Sequence, residues 1–312
     1  MDLYAQILAA FAELPCAEAW PELLDLLRRV AARRPQHWLL PVRACVAVGG
    51  SPEQAIPAAL AIACCHISII LVDDMLDCDP RGEYRQIGAA AAANMASALQ
   101  AAALAAIIAH GPSTPGRKLA ALESANEMLL HTTIGQYWDV QGPSDEAHYW
   151  QVAQAKSSPF FGAALQLGAL LGGATPRAAM RLKALGALYG EMIQIHDDLG
   201  DSMAIPANPD WLLARFPLPV LYARQVPHPE RERFVALCGQ VSDEAALREA
   251  QQIIIRCGAL GYCVEHLLRR HEAMQGILAA LRLRQRAEMD ALAQAVIAPV
   301  WQLFEGLGCA AG

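Results

Sequence analysis

Ile69-Ile70-Leu71-Val72-Asp73-Asp74-Met75-Leu76-Asp77 joins an apolar run to three carboxylates spelled DDxxD. Residues 55–72 carry no acid or base apart from His66, so a long, largely buried helix is expected to run into this cluster. On a helix, Asp73 and Asp77 share one face a turn apart, with Asp74 beside them. Three like charges at that spacing repel, and a cation removes the repulsion. The same spelling recurs as Asp197-Asp198-Leu199-Gly200-Asp201 after the apolar Met192-Ile193-Gln194-Ile195. One such cluster reads as a solvated helix end. Two of them closing apolar helices point to an oxygen-lined cradle for Mg²⁺ and, through the metal, for a diphosphate. Carboxylates with no matching Cys or His set argue against zinc, and His196 reads as a neutral neighbour rather than a ligand.

Outward from these clusters the chain is helical in pattern. Ala, Leu, Gln, Glu and Arg dominate, β-branched alternation is nearly absent, and breakers such as Gly49-Gly50-Ser51-Pro52, Gly142-Pro143-Ser144 and Gly172-Gly173-Ala174-Thr175-Pro176 separate the runs. The periodicity predicts helices over 3–13, 20–33, 37–48, 52–77, 87–110, 116–140, 145–171, 176–201, 243–257, 260–282 and 284–305. Pro159 is expected to kink or interrupt its helix, and 202–218, with Pro206, Pro209 and Pro217, to form a loop. No linker or low-complexity tail divides the 312 residues, and 55% hydrophobic content suits one large core. The expectation is an all-α single domain over 1–312.

Bulk properties remove several alternatives. A net charge of −7 gives a nucleic-acid partner no electrostatic support. Nine scattered cysteines without a CxxC, including Cys64-Cys65 in an apolar run and Cys309 near the end, suit a reduced, cytoplasmic protein. Met1-Asp2-Leu3-Tyr4 lacks the basic start of a signal peptide. Residues 55–72 and the Ala-rich 89–109 could be mistaken for membrane spans. Pro57, the aspartates that follow, and Asn94, Ser97 and Gln100 favour buried bundle helices instead, so no transmembrane span is expected.

Further segments extend the pattern: Gly135-Gln136-Tyr137-Trp138-Asp139, Tyr149 followed by Lys156-Ser157, Gln194 before the second cluster, Ala214-Arg215-Phe216-Pro217-Leu218-Pro219, and His66 two turns before Asp73. With the clusters they resemble, in order, the GQxxD, Y…KT, FQxxDD and GKxTLP elements of the trans-prenyl diphosphate synthases (polyprenyl synthetases) of the class I isoprenoid synthases. The likeness covers roughly residues 60–220. It implies a large helical bundle with a central cavity, a homodimer, and Mg²⁺ ions, three per active site, held by Asp73, Asp74, Asp77, Asp197 and Asp201 against the diphosphate of an allylic prenyl substrate. Asp198 belongs to the same catalytic cluster. Lys156, Arg81 and Arg215, with Gln194 and His66, would bind the diphosphate. Leaving-group stabilisation and a dry cavity are what forming an allylic cation requires. Ring faces of Tyr137, Phe160 or Phe161 are candidates to stabilise that cation.

One part departs from the family. The segment for a second diphosphate, GGKxxRP, corresponds to Pro35-Gln36-His37-Trp38-Leu39-Leu40-Pro41, and the arginine pair after the first cluster reads Pro80-Arg81-Gly82. Replacement by Arg33, Arg34, Arg43 or Arg85 remains open. Ser68 and Ile69 stand where the family places bulky floor residues, which implies a C15–C20 or longer substrate. The leading expectation is therefore a terpene-cyclase-like enzyme. The alternatives are a prenyltransferase, to another acceptor or chain-elongating, and a silent partner subunit.

Overall fold

A computed structural model describes residues 2–112 and 114–306, so Cys309 lies outside the described residues. The protein is 79% helical, with no strand among the described residues, as the periodicity predicts. The chain begins with α1 (Leu3–Ala12), α2 (Pro15–Ala19), α3 (Pro21–Ala31), α4 (Leu40–Val48), α5 (Ile56–Leu76), α6 (Tyr84–Ile87) and α7 (Ala89–His110). There follow α8 (Pro115–Asp139), α9 (Glu146–Lys156), α10 (Ser158–Leu171) and α11 (Pro176–Met203). The last third forms α12 (Pro209–Leu212), α13 (Leu218–Gln225), α14 (Arg231–Cys238), α15 (Glu244–Arg256), α16 (Ala259–Ala279) and α17 (Ala287–Gly306).

Contacts group the chain into two compact units. One holds the stretch to Thr132 with Pro159–Ala187 and Ile277–Ala291; the other holds Thr133–Ser158, Leu188–Gly276 and the stretch from Leu292. In the first, α5 is buried almost throughout and packs on α7, α1 and α4. The window Glu53–Leu76 is long and apolar enough to cross a membrane, as is Ala89–His110, but 78% of the former and 44% of the latter are buried. The α5 stretch is thus a core helix. Phe11, Leu27 and Trp38 are fully buried in elements that pack on it, as is its own Leu60. Gly168 in α10 lets that helix meet the start of α4 backbone to backbone, since a Cβ there would lie 2.0 Å from the Pro41 carbonyl oxygen.

In the second unit, Trp211, Phe234, Leu237, Ile253 and Ile254 form a buried cluster that draws in α12 to α15. Helices α13 and α14 stand where the sequence assigns none. Pro219, Pro227 and Pro229 cut this region into pieces too short to show a period, and tertiary burial holds them helical. The expected helix 145–171 is interrupted at Ser157, and α10 restarts with Pro159 in its first turn, where proline's missing N–H costs nothing. The expected loop 202–218 holds the end of α11 and the single turn α12.

Candidate active site

Each aspartate cluster closes a long helix. Asp73 and Asp74 occupy the last turn of α5 and Asp77 is its C-cap, with its N–H on the Asp73 carbonyl at 2.9 Å. Asp197, Asp198 and Asp201 lie in the last two turns of α11. A helix C-terminus carries partial negative charge, so these are poor places for carboxylates unless a cation is near. The acidities reflect this. Burial and then the charges of Asp79, Asp73 and Asp77 hold Asp74 above the usual carboxylate range. Burial and then the Asp201 charge push Asp197 up to about 6.

Among the described residues, no three His, Cys, Asp or Glu side chains converge closely enough to close a metal site by themselves. The donors nevertheless fit a hard cation. Mg²⁺ commonly takes one or two carboxylates and draws its remaining ligands from water and phosphate oxygens.

In the second unit the cluster residue Asp198 turns inward. Its carboxylate is buried, accepts the Leu218 N–H at 2.8 Å and the Gln194 Nε2–H at 2.9 Å, and is pushed up to about 7, chiefly by burial. The Tyr149 hydroxyl faces it closely enough to lower the carboxyl and raise the phenol, yet makes no hydrogen bond of normal geometry. Gln194 is fixed in turn by the Ser157 hydroxyl at 2.7 Å. Lys156 pairs with Asp139 at 2.6 Å, both about one-fifth exposed.

Asp139, Tyr149, Lys156, Gln194 and Asp198 line one cavity of about 60 Å³ together with the buried Arg215 and Pro217 and the half-buried Asp210 and Phe216. The structure thus brings Lys156, Gln194, Asp198 and Arg215 to one place, joining the GQYWD, Tyr149–Lys156, second-cluster and Ala214–Pro219 segments. Two backbone features make this possible. Ala214 takes φ 57°, a left-handed conformation costing roughly 1–2 kcal/mol for a residue with a Cβ, which turns the chain into Arg215. Gly135 lets α8 touch the end of α9: a Cβ there would lie 2.3 Å from the Lys156 nitrogen.

In the first unit, Arg81 is bound to Asp79 through its backbone N–H (2.7 Å) and guanidinium (2.9 and 3.1 Å). His66 packs against His37, ring centroids 4.0 Å apart, with Phe160 within 6.0 Å of both. Trp38 Nε1–H donates to His66 Nδ1 at 3.2 Å, which leaves the His66 proton on Nε2. Burial pushes His37 down to about 4 and His66 to about 3. His66 therefore offers a neutral N–H donor, not a charge. Ser68 is buried and accepts from Gln100 Nε2 at 3.0 Å, while Ile69 stays partly exposed. Phe160 is buried, whereas Tyr137 is 68% exposed. His196 donates from Nε2 to the Val296 carbonyl at 2.8 Å.

The replacement arginines are engaged too: Arg34 with Asp2 at 3.0 Å, Arg43 with Glu288 at 3.5 Å, and Arg85 with the Cys78 carbonyl at 3.1 Å. Arg33 is exposed. Sequence reasoning missed the Asp139–Lys156 pair, although Asp139 ends the quoted GQYWD segment, and missed the inward turn of Asp198.

The polyprenyl synthetase family matches residues 30–254. A short chain isoprenyl diphosphate synthase of Methanothermobacter thermautotrophicus is 28% identical over 69% of this chain and 70% of its own. A geranylgeranyl diphosphate synthase of Methanosarcina mazei is 29% identical over 52% of this chain, which spans about half (53%) of that relative. In fold, the protein resembles the geranylgeranyl pyrophosphate synthetase of Pyrococcus horikoshii, with a TM-score of 0.79 at 21% identity, covering 95% of this chain and 98% of that one.

Two outcomes check the geometry. Unfolded histidines accept protons near 6.5, whereas folded His37 and His66 refuse them until about 4 and about 3. The contribution of this pair to stability is therefore full above pH 6.5 and falls as pH drops toward 4, by up to about 1.4 kcal/mol per pH unit for each imidazole, while Asp197 and Asp198, raised to about 6 and about 7, contribute the opposite slope. The urea midpoint of the protein should fall relative to that of a His37→Gln/His66→Gln variant between pH 7 and 5; a difference that does not change with pH would contradict the burial of this pair. Gly135→Ala must push α8 off α9, costing about 1–3 kcal/mol and loosening Lys156. Thermal melts and turnover of this variant should both drop; an unchanged pair of values refutes the close approach.

Proposed function

Because the chain belongs to the polyprenyl synthetase family, we propose that it is an isoprenyl diphosphate synthase, a prenyltransferase that ionises a long allylic diphosphate and joins it to an isopentenyl acceptor. The observation that carries the reading is the cavity in which Lys156, Gln194 and Arg215 meet beside the second aspartate cluster. Beside the carboxylates Asp139, Asp198 and Asp210, this cavity presents one Lys and one Arg, the two side-chain types that pair with phosphate oxygens. The relatives reported above are diphosphate synthases, and they favour prenyl transfer over the cyclisation suggested by His37 and Leu40.

In this reading Asp73, Asp74, Asp77, Asp197 and Asp201 hold Mg²⁺, three ions per site. Held there, Mg²⁺ would supply positive charge for the leaving diphosphate. Lys156 and Arg215 take up the leaving group's remaining charge, with Gln194 fixed by Ser157 and Asp198 to hold their surroundings in place. Arg81, after release from Asp79, and His66 would bind the diphosphate. With no aromatic side chain at Ser68 or Ile69, the reading takes a C15 or longer substrate. One observation favours a second reading, an acceptor without a diphosphate: His37 and His66 are neutral and Leu40 is buried. The homodimer is likewise a proposal, supported by the exposed apolar side chains Ile108, Leu119 and Leu130.

Incubation with farnesyl or geranylgeranyl diphosphate, with and without isopentenyl diphosphate, is expected to yield longer diphosphates only when the acceptor is present. Hydrocarbon or alcohol products without it would overturn elongation in favour of cyclisation. Asp73→Ala and Asp197→Ala should each lower turnover about 100-fold or more while far-UV circular dichroism stays unchanged; near-normal rates would remove those residues from the metal site. Sedimentation velocity should give twice the chain mass, and a single-chain mass at micromolar concentration rejects the dimer.

A further inference from the structure

A second cavity, of about 240 Å³, lies in the second unit, walled by Leu218, Leu221, Tyr222, Val226, Tyr262 and Glu146. It is smaller than most ligand pockets, so it suits a molecule of few heavy atoms. Its one charged wall residue is Glu146. Glu146 Oε1 accepts the Trp150 Nε1–H at 3.0 Å and the Tyr262 hydroxyl, so the carboxylate is fixed in place. Among the described residues, Oε2 has no hydrogen-bond donor.

Aromatic surface surrounds this carboxylate. Tyr222 and Tyr262 stack at 4.5 Å, His266 meets the edge of Tyr262 at 4.6 Å, and Trp150 stacks on His266 at 4.9 Å. Two groups nearby could have cancelled the Glu146 charge and do not. His266 Nε2 is 3.8 Å from Oε1, but burial, then Arg270, holds the imidazole below its ordinary range, so it is neutral at pH 7. Arg270 lies over the Trp150 ring and is taken by Glu191 at 2.7 Å.

We propose that this cavity binds a small organic cation, a protonated or quaternary amine with an apolar body, on Glu146 and the Tyr222–Tyr262 pair. Leucine and valine walls match the apolar body, and the ring π-systems and the partly exposed carboxylate match the charge. The site is built to be felt by the other cavity. Glu146 opens α9, which carries Tyr149 and Lys156, and Leu218 lines the amine cavity while its N–H holds Asp198. An occupant therefore bears on the groups that line the phosphate side.

Choline and its uncharged isostere 3,3-dimethylbutan-1-ol test the assignment by calorimetry on the full chain, with no prenyl substrate present, so the outcome does not depend on the reaction proposed above. Choline should bind saturably with Kd at or below about 1 mM, and the neutral isostere at least about tenfold more weakly. Glu146→Gln keeps an oxygen for Trp150 and Tyr262 and should weaken choline about tenfold or more, with an unchanged melting temperature. Val226→Phe, which fills the cavity from its wall, should abolish binding. Absence of saturable choline binding, equal binding of the isostere, or undiminished binding to either folded variant overturns the proposal.

Discussion

A carboxylate removed from water has to be met by donors, and in this protein Asp198 is met by two. The Leu218 N–H and the Gln194 amide hold its two oxygens, and Gln194 is held by Ser157. One side chain thus ties the end of α11 to the start of α13 and to the break between α9 and α10. Without those donors, an uncompensated buried charge costs several kcal/mol. Even with them, burial keeps its carboxyl near 7. The left-handed turn at Ala214 and the contact at Gly135 set the walls around this tie, bringing Arg215 and Lys156 to the cavity it bounds.

The two adjacent aspartates of the second cluster show how a helix separates like residues. Successive residues are about 100° apart around the axis, so Asp198 faces the core while Asp197 keeps an exposed surface. A DDxxD spelling gives both the same letter, and only packing distinguishes the anchor from the candidate ligand. Asp201, one turn on from Asp197, adds to its charge and raises its pKa. The first cluster repeats the logic at the end of α5, where Asp74 is raised by burial and its acidic neighbours. Carboxylates crowded at negative helix termini are unfavourable in isolation, and a divalent cation turns that cost into binding energy.

Long elements were legible: α5 and α7 as uninterrupted apolar runs bounded by breakers, and α11, α16 and α17 through an apolar period repeated over many turns. Helices α13 and α14, of eight residues each, were not. Helices that short are unstable alone, and what holds these is the meeting of Trp211, Phe234, Leu237 and Ile253 from separate parts of the chain. The same division runs through the site. Lys156, Gln194 and Arg215 stand in segments with recognisable spacing. The Asp139–Lys156 ion pair depends on two helices touching at a glycine, and spacing along the chain carries no trace of it.

The segment around His37 is the place where family membership and local chemistry pull apart. Two neutral imidazoles and a buried Leu40 provide hydrogen bonds and surface but no charge for an acceptor diphosphate. The arginines of the first unit are held in other contacts: Arg29 with Glu83, Arg34 with Asp2, Arg43 with Glu288, Arg85 with Cys78. Magnitudes decide how binding that commitment is. Exposed ion pairs are worth about 0–1 kcal/mol, whereas a charge-assisted bond is worth roughly 1.5–3 kcal/mol. Exchanging a surface carboxylate for a diphosphate is therefore downhill for any of these arginines that can reach it. The acceptor side of an isoprenyl diphosphate synthase can then be rebuilt from side chains that spell no motif, which is why a lost GGKxxRP segment weakens the argument for cyclisation.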